Sequence, residues 1–202
     1  MRVGIIGAGG HSRAVINLAE HLNYEIEGIY DATYTSDKTE YICGYLLRGA
    51  ESAVKTETSV LLAVGDNSKR KVLWEQFYKQ AIKTPLVHPR AIIEKRVTLG
   101  KGNQVYANAL MNNEVIVGDN NILNTGCILE HETHIGSHNH IAVGAILCGR
   151  VKIGDGCLIG AGAVINPTIM ITNDVTVGAG AVVVSDILFA GVYVGNPAKK
   201  IK

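Results

Sequence analysis

The sequence is poor in the residues that usually anchor a globular core. Only 5% of its 202 residues are aromatic, with one Trp and two Phe. Something other than large rings must fill the interior. Charge is equally unassertive: 19 Lys and Arg against 18 Asp and Glu leave +1. That balance argues against a basic nucleic-acid groove or an acidic tail as the main theme. No apolar run approaches the ~18 residues of a membrane-crossing helix. The opening Met1-Arg2-Val3-Gly4-Ile5-Ile6-Gly7 meets glycine too soon for a signal-peptide core. Four cysteines, Cys43, Cys127, Cys148 and Cys157, form no CxxC pair. They predict reduced, mostly buried thiols in a cytoplasmic protein, with neither a disulfide framework nor a zinc–cysteine site.

What is abundant is glycine, 23 residues, and a repeat. Stepping by six from Leu99 gives Val105, Met111, Val117, Leu123, Leu129, Ile135 and Ile141. It continues through Leu147, Ile153, Ile159, Ile165, Ile171 and Val177 to Val183. Every tooth is aliphatic or Met, and Val87 and Ile93 extend the comb backwards. Two positions before each tooth sits a small, apolar or amide residue, such as Asn103, Ala109, Asn121 or Cys127. Glycine often follows the tooth, at Gly100, Gly118, Gly136, Gly154, Gly160 and Gly178. A period of six fits neither a helix nor a hairpin. It predicts one short strand and one tight turn per unit, three units closing a triangular coil of 18 residues. Each coil advances by one inter-strand spacing, ~4.8 Å. The glycines are expected at corners, where their backbone freedom is needed. Residues 97–183 therefore read as a parallel β-helix.

The first 85 residues read differently. Arg2–Ile6 predicts a strand, Gly7-Ala8-Gly9-Gly10-His11-Ser12 a turn, and Arg13–Leu22 an amphipathic helix. Strands over Ile26–Tyr30 and Val60–Val64 and a helix near Ser68–Gln80 follow. This order predicts a small parallel sheet of Rossmann type. The glycine turn lacks the third glycine of the dinucleotide fingerprint, where Ser12 stands. It fits a tight turn packing helix on strand. It also fits a phosphate cradle at a helix N-terminus, with Asp31 accepting from sugar hydroxyls.

Several residues together carry a resemblance. Gly7-Ala8-Gly9-Gly10-His11 precedes the comb, Glu130-His131-Glu132 lies within it, and Gly195-Asn196-Pro197-Ala198-Lys199 ends it. Over essentially its whole length the chain resembles the sugar O/N-acyltransferases of the sialic acid O-acetyltransferase group. These are hexapeptide-repeat enzymes whose prism is a left-handed β-helix. The resemblance implies a Rossmann-like nucleotide-sugar-binding domain over 1–85 and a β-helix acyltransferase domain over 86–202. It implies acetyl-CoA as cosubstrate and a nucleotide-linked (UDP or GDP) 4-amino-4,6-dideoxy sugar as acceptor, with free sialic acid as the runner-up. His131 would be the general base and Glu132 its carboxylate. His140 would face the thioester, with Ala161 and Ala179 along the coenzyme arm. Asn124 would lie near the acceptor sugar, whose nucleotide Gly9, Gly10, His11, Asp31 and Gly65 would hold. A homotrimer is implied, with the tail folded over the coenzyme entrance and Lys199 or Lys200 at a CoA phosphate.

The chemistry of those residue types agrees. A thioester acyl transfer needs the acceptor stripped of a proton, for which imidazole is suited near neutral pH. A direct bond between adjacent His131 and Glu132 requires a bent backbone. Cys127, four residues before His131, sits in the inward small-residue column and reads as packing rather than nucleophile. The histidines at 131, 134, 138 and 140 invite a metal reading, as in the carbonic anhydrase class built on the same prism. Their spacing departs from that class, so no metal is expected; His134 and His138 read as turn or interface residues. A dehydrogenase reading would need a longer Rossmann unit, and a bare trimeric scaffold would leave Glu130-His131-Glu132 without purpose.

Overall fold

The computed structural model describes all 202 residues. The chain divides into two compact units, Met1–Leu86 and Val87–Lys202.

In the first unit, β1 (Arg2–Ile6) lies between β2 (Glu25–Tyr30) and β5 (Val60–Leu62), parallel to both. Beyond β2 come β4 (Tyr45–Gly49), parallel to it, and β3 (Tyr41–Ile42), antiparallel to β4. β1 carries a run of apolar residues, and Val3, Ile5 and Ile6 are fully buried, as a parallel strand covered on both faces requires. Helix α1 (Gly10–His21) buries Val15, Ile16, Leu18 and Ala19; α2 (Asn67–Gln76) buries Leu73 and Trp74.

Two local expectations are corrected, and one element is added. Helix α1 begins three residues early, taking Gly10, His11 and Ser12 into its first turn. The buried Ser12 hydroxyl donates to the Gly9 carbonyl at 2.6 Å, which ties that turn down. Helix α2 starts at Asn67, because the Asp66 side chain caps it by accepting from the Lys69 N–H at 2.8 Å. It ends at Gln76, so that Phe77 and Ala81 can turn into the core. The hairpin β3–β4 was not foreseen. Its two-residue loop, Cys43-Gly44, has both φ positive (50° and 85°), the geometry usually signalled by Asn-Gly.

The second unit is a left-handed parallel β-helix: the comb predicts its coils, and the family resemblance implies its hand. Its three faces are parallel sheets of two-residue rungs, paired with the residue 18 further on, as Ile116 with His134 and Val117 with Ile135. The second residue of each rung is the comb tooth and points inward. Val105, Met111, Leu123, Leu129, Ile141, Leu147, Ile159 and Ile165 are fully buried. Stacked Asn103, Asn121 and Asn139 form a buried amide ladder in which Asn121 and Asn139 N–H groups donate to the preceding side chain at 2.8 Å.

The corners differ from expectation. From Arg96 to Gly180 every sixth residue has φ between 54° and 70°. That column includes Gly102, Gly126 and Gly144, but also Glu114, Glu132, His138 and Arg150. The glycines that follow the teeth are not in this left-handed region. Gly100, Gly118 and Gly136 are required because an added Cβ would lie 2.6–2.8 Å from the carbonyl oxygen of the coil above. The tail folds back on the β-helix. Gly191–Val194 pairs parallel with Val175–Val177, and Lys199–Lys200 pairs back on it, so the tail adds two strands to one face.

Candidate functional site

Two constellations of candidate residues stand out, one in each unit. The first is a cavity of about 630 Å³ at the C-terminal ends of the parallel strands of the N-terminal unit. It brings together Gly9, Gly10, His11, Asp31 and Gly65, all five anticipated nucleotide residues. The C-terminal strand edge is where open α/β sheets take ligands. A Cβ at Gly9 or Gly10 would meet nothing within 4 Å, so both leave their backbone open to the cavity. Gly7 has a different reason: its φ is 111°, and a Cβ would come within 2.8 Å of the Ala63 carbonyl.

Asp31 does more than face the cavity. It accepts from the Ala8 N–H at 2.7 Å and from the Thr33 N–H and hydroxyl at 2.8 and 2.6 Å. It braces the glycine loop against the end of β2. Burial pushes its carboxyl up, but the Thr33 and Ala8 hydrogen bonds outweigh that and hold it below its usual range. Glu51, also on the cavity wall, is pushed up by burial and by the Asp31 charge.

Sequence reasoning missed Arg70. It is fully buried, donating to the carbonyls of Val64 (3.3 Å) and Gly65 (3.2 Å) and to Asn67 Oδ1 (2.9 Å). It pins the Gly65 turn from beneath. An Arg on a helix that follows a strand-ending glycine was the available signal.

The second constellation lies on the β-helix. His131 and Glu132 occupy one corner, with φ of Glu132 at 59°. That bend folds the carboxylate back on the preceding ring, and His131 Nδ1 and Glu132 Oε2 are 3.0 Å apart. Nδ1–H is then the donor, and the lone pair of Nε2 remains on the ring's far side. Glu132 Oε2 also accepts from Arg150 Nε at 3.0 Å. Chiefly the His131 hydrogen bond, and then that of Arg150, lowers the Glu132 carboxyl below its usual range.

Asn124 and His140 are brought together as well. The Asn124 Oδ1 accepts from the Thr125 N–H at 2.8 Å, which fixes the amide's orientation. Its NH₂ then donates to His140 Nε2 at 3.2 Å. This places the His140 proton on Nδ1. Ala161 and Ala179 are exposed at one corner, 18 residues apart on successive coils. His134 is exposed on a rung, and His138 Nδ1 is 2.8 Å from Asn120 Nδ2. No group of three His, Cys, Asp or Glu is placed to hold a metal ion. Cys127 is fully buried, and burial pushes its thiol up to about 12. Cys157 is pushed up to about 11. Neither supplies a thiolate near neutral pH.

Two family models match the chain. The PglD N-terminal domain family matches residues 2–77. The bacterial transferase hexapeptide family, six repeats, matches residues 150–185. No curated protein matches the chain by sequence. Among solved structures, the acetyltransferase domain of PglB from Neisseria gonorrhoeae is 30% identical, with 99% of both chains covered and a TM-score of 0.88. Perosamine N-acetyltransferase from Caulobacter crescentus, in complex with CoA and GDP-perosamine, is also 30% identical. There the match covers 100% of this chain and 97% of that one, with a TM-score of 0.92. WeeI from Acinetobacter baumannii, 22% identical over the full length of both chains, shares the fold at a TM-score of 0.88. No helix of the chain is long and apolar enough to cross a membrane. With two relatives at this identity matched almost end to end, the chain belongs to the hexapeptide-repeat sugar acetyltransferases, the acetyl-CoA-dependent enzymes that carry a PglD-type N-terminal domain.

Proposed function

We propose that this enzyme moves the acetyl group of acetyl-CoA to the amine of a nucleotide-linked 4-amino-4,6-dideoxy sugar, by direct transfer with His131 as general base. The observation that carries this reading is the His131–Glu132 pair. Its Nδ1–H is committed to the carboxylate, which leaves Nε2 as the basic atom. In the reaction the acceptor nitrogen's lone pair attacks the thioester carbonyl carbon and a C–N bond forms. The amine proton passes to His131 Nε2. Collapse of the tetrahedral intermediate breaks the C–S bond, and the proton leaves the imidazolium for the departing thiolate, giving CoA as its thiol. Glu132 stabilises the transient imidazolium. His140, oriented by Asn124, is the candidate donor to the developing oxyanion. Ala161 and Ala179 are the candidate backbone contacts for the coenzyme arm, and Lys199 or Lys200 the candidate partner for its phosphates.

The cavity of the N-terminal unit supports a nucleotide-linked rather than a free sugar. Its exposed Gly9–Gly10 backbone opens helix α1, where N–H groups and the helix dipole favour a diphosphate. The perosamine enzyme's complex with a GDP-linked amino sugar agrees in chemistry.

A homotrimer fits the prism's surface. On one face the outward column is aliphatic from end to end: Ile92, Leu110, Ile128, Ile146, Val164 and Val182. An apolar face of that length calls for a partner, and further copies of the chain closing a ring supply it symmetrically.

The test is thiol release from acetyl-CoA with a UDP-4-amino sugar, a GDP-4-amino sugar and free sialic acid. Turnover with an amino sugar supports the reading. Turnover with sialic acid alone replaces it with O-acetylation.

A further inference from the structure

The coil repeat makes residue i+18 the neighbour of residue i, so two residues of the next coil adjoin the base pair. Gly149 lies under His131, and Arg150 lies under Glu132. The Arg150 N–H donates to the His131 carbonyl at 2.9 Å, locking the two corners in register. We propose that Arg150 and Gly149 are positioning residues for the base, Arg150 aiming the Glu132 carboxylate and Gly149 leaving the space in which the imidazole lies. This rests on the reading of His131 as base.

Two observations carry it. First, Glu132 belongs to a corner column of charges: Arg96, Glu114, Glu132 and Arg150. Its neighbour on one side is Glu114, one coil away and of like charge. Glu114 is paired the other way, with Arg96 at 3.9 Å. Without Arg150 the Glu132 carboxylate has no cation to hold it and faces only a like charge along the column. With Arg150 Nε at 3.0 Å, the same oxygen, Oε2, that accepts the His131 Nδ1–H hydrogen bond is fixed in place. The guanidinium is planar and donates along a fixed direction, which an ammonium does not. Secondly, a Cβ on Gly149 would stand 2.6 Å from His131 Nε2 and 2.7 Å from Cε1. Gly149 is not in the left-handed region, so backbone conformation does not explain it. The ring itself occupies the space a side chain would take, and the crowded atom is the proposed proton acceptor.

The experiment uses the full-length enzyme and the thiol-release assay, with KM for acetyl-CoA and acceptor measured separately from kcat. Arg150→Gln is expected to lower kcat about tenfold, as a displaced catalytic group does, with both KM values unchanged. Arg150→Lys is expected to restore only part of it. In a Glu132→Gln background, Arg150→Gln should have no further effect, since its route to the ring is already cut. Gly149→Ala should lower kcat with unchanged thermal stability, because a flexible ring end gives way. Multiplying effects of Arg150→Gln and Glu132→Gln, or a raised KM for acetyl-CoA, overturn the proposal and make Arg150 a ligand-binding residue in its own right. A Gly149→Ala enzyme with full kcat overturns the steric part. His131→Ala separates the two levels: if that variant keeps full activity, the base assignment fails first, whatever Arg150 does.

Discussion

The two kinds of glycine in the N-terminal loop predict opposite behaviour on substitution by alanine. Gly7 sits at φ 111°, outside the region L-residues tolerate, with the Ala63 carbonyl 2.8 Å from the position of an added Cβ. The left-handed backbone costs an alanine roughly 1–2 kcal/mol. Forcing β1 and β5 apart where they pair adds about 1–3 kcal/mol, as overpacking does. Gly7→Ala is thus expected to lose about 2–5 kcal/mol, a large share of the ~5–15 kcal/mol that holds a typical domain. Gly9 is extended, with φ −72° and ψ −170°, and has open space around its Cβ position. Gly9→Ala should leave the fold unchanged or stabilise it by up to ~1 kcal/mol, because the unfolded chain loses freedom. The same methyl would stand where the proposed diphosphate approaches the backbone. Titration calorimetry with UDP and GDP should show affinity falling at least tenfold in Gly9→Ala, alongside an unchanged urea midpoint. Wild-type nucleotide affinity in Gly9→Ala would refute the assignment of this cavity to the diphosphate.

Other consequences follow from the same geometry. Cys127→Ala should keep kcat within about twofold in the thiol-release assay, because a thiol held near 12 is not the nucleophile; an inactive, folded Cys127→Ala enzyme would point to an acyl-cysteine route instead. Leu147→Ala, which empties a fully buried comb position, should cost about 3–5 kcal/mol by urea unfolding. The Asp31 carboxyl is held below its usual range in the folded state, so its contribution is present above the unfolded carboxylate range, near ~4, and is lost as pH falls through its lower folded value. Asp31→Asn should remove that part of the acid dependence of unfolding and loosen nucleotide binding. If the proposed trimer forms, Ile146→Arg, in the middle of the outward aliphatic column, should convert it to monomers by light scattering.

How far the sequence could be read depended on how local each signal was. The comb was legible because every coil repeats the same demand: an aliphatic tooth pointing inward every sixth residue. Strand β1 and the glycine turn were legible for a similar reason, an apolar run followed by residues with unusual freedom. The corner glycines were misread because Gly118 and Gly136 answer to the coil above, 18 residues away, and not to their own φ. The hairpin β3–β4 was missed because Cys43-Gly44 takes the turn that Asn-Gly usually announces. His131 and Glu132 were identifiable as a pair, but their hydrogen bond depends on the φ of Glu132, which a non-glycine residue does not advertise. Arg150 and Gly149 become visible only when the 18-residue period is applied to the site itself. Arg70 lay hidden because a buried arginine is rare and its partners are main-chain carbonyls.

The proposed mechanism has His131 take the acceptor's proton. Its most direct test is the turnover number of His131→Ala with acetyl-CoA and a nucleotide-linked 4-amino sugar. The expected result is a loss of roughly 10²–10⁴-fold in kcat with the fold and both KM values retained. A folded His131→Ala enzyme that turns over at the wild-type rate would contradict it.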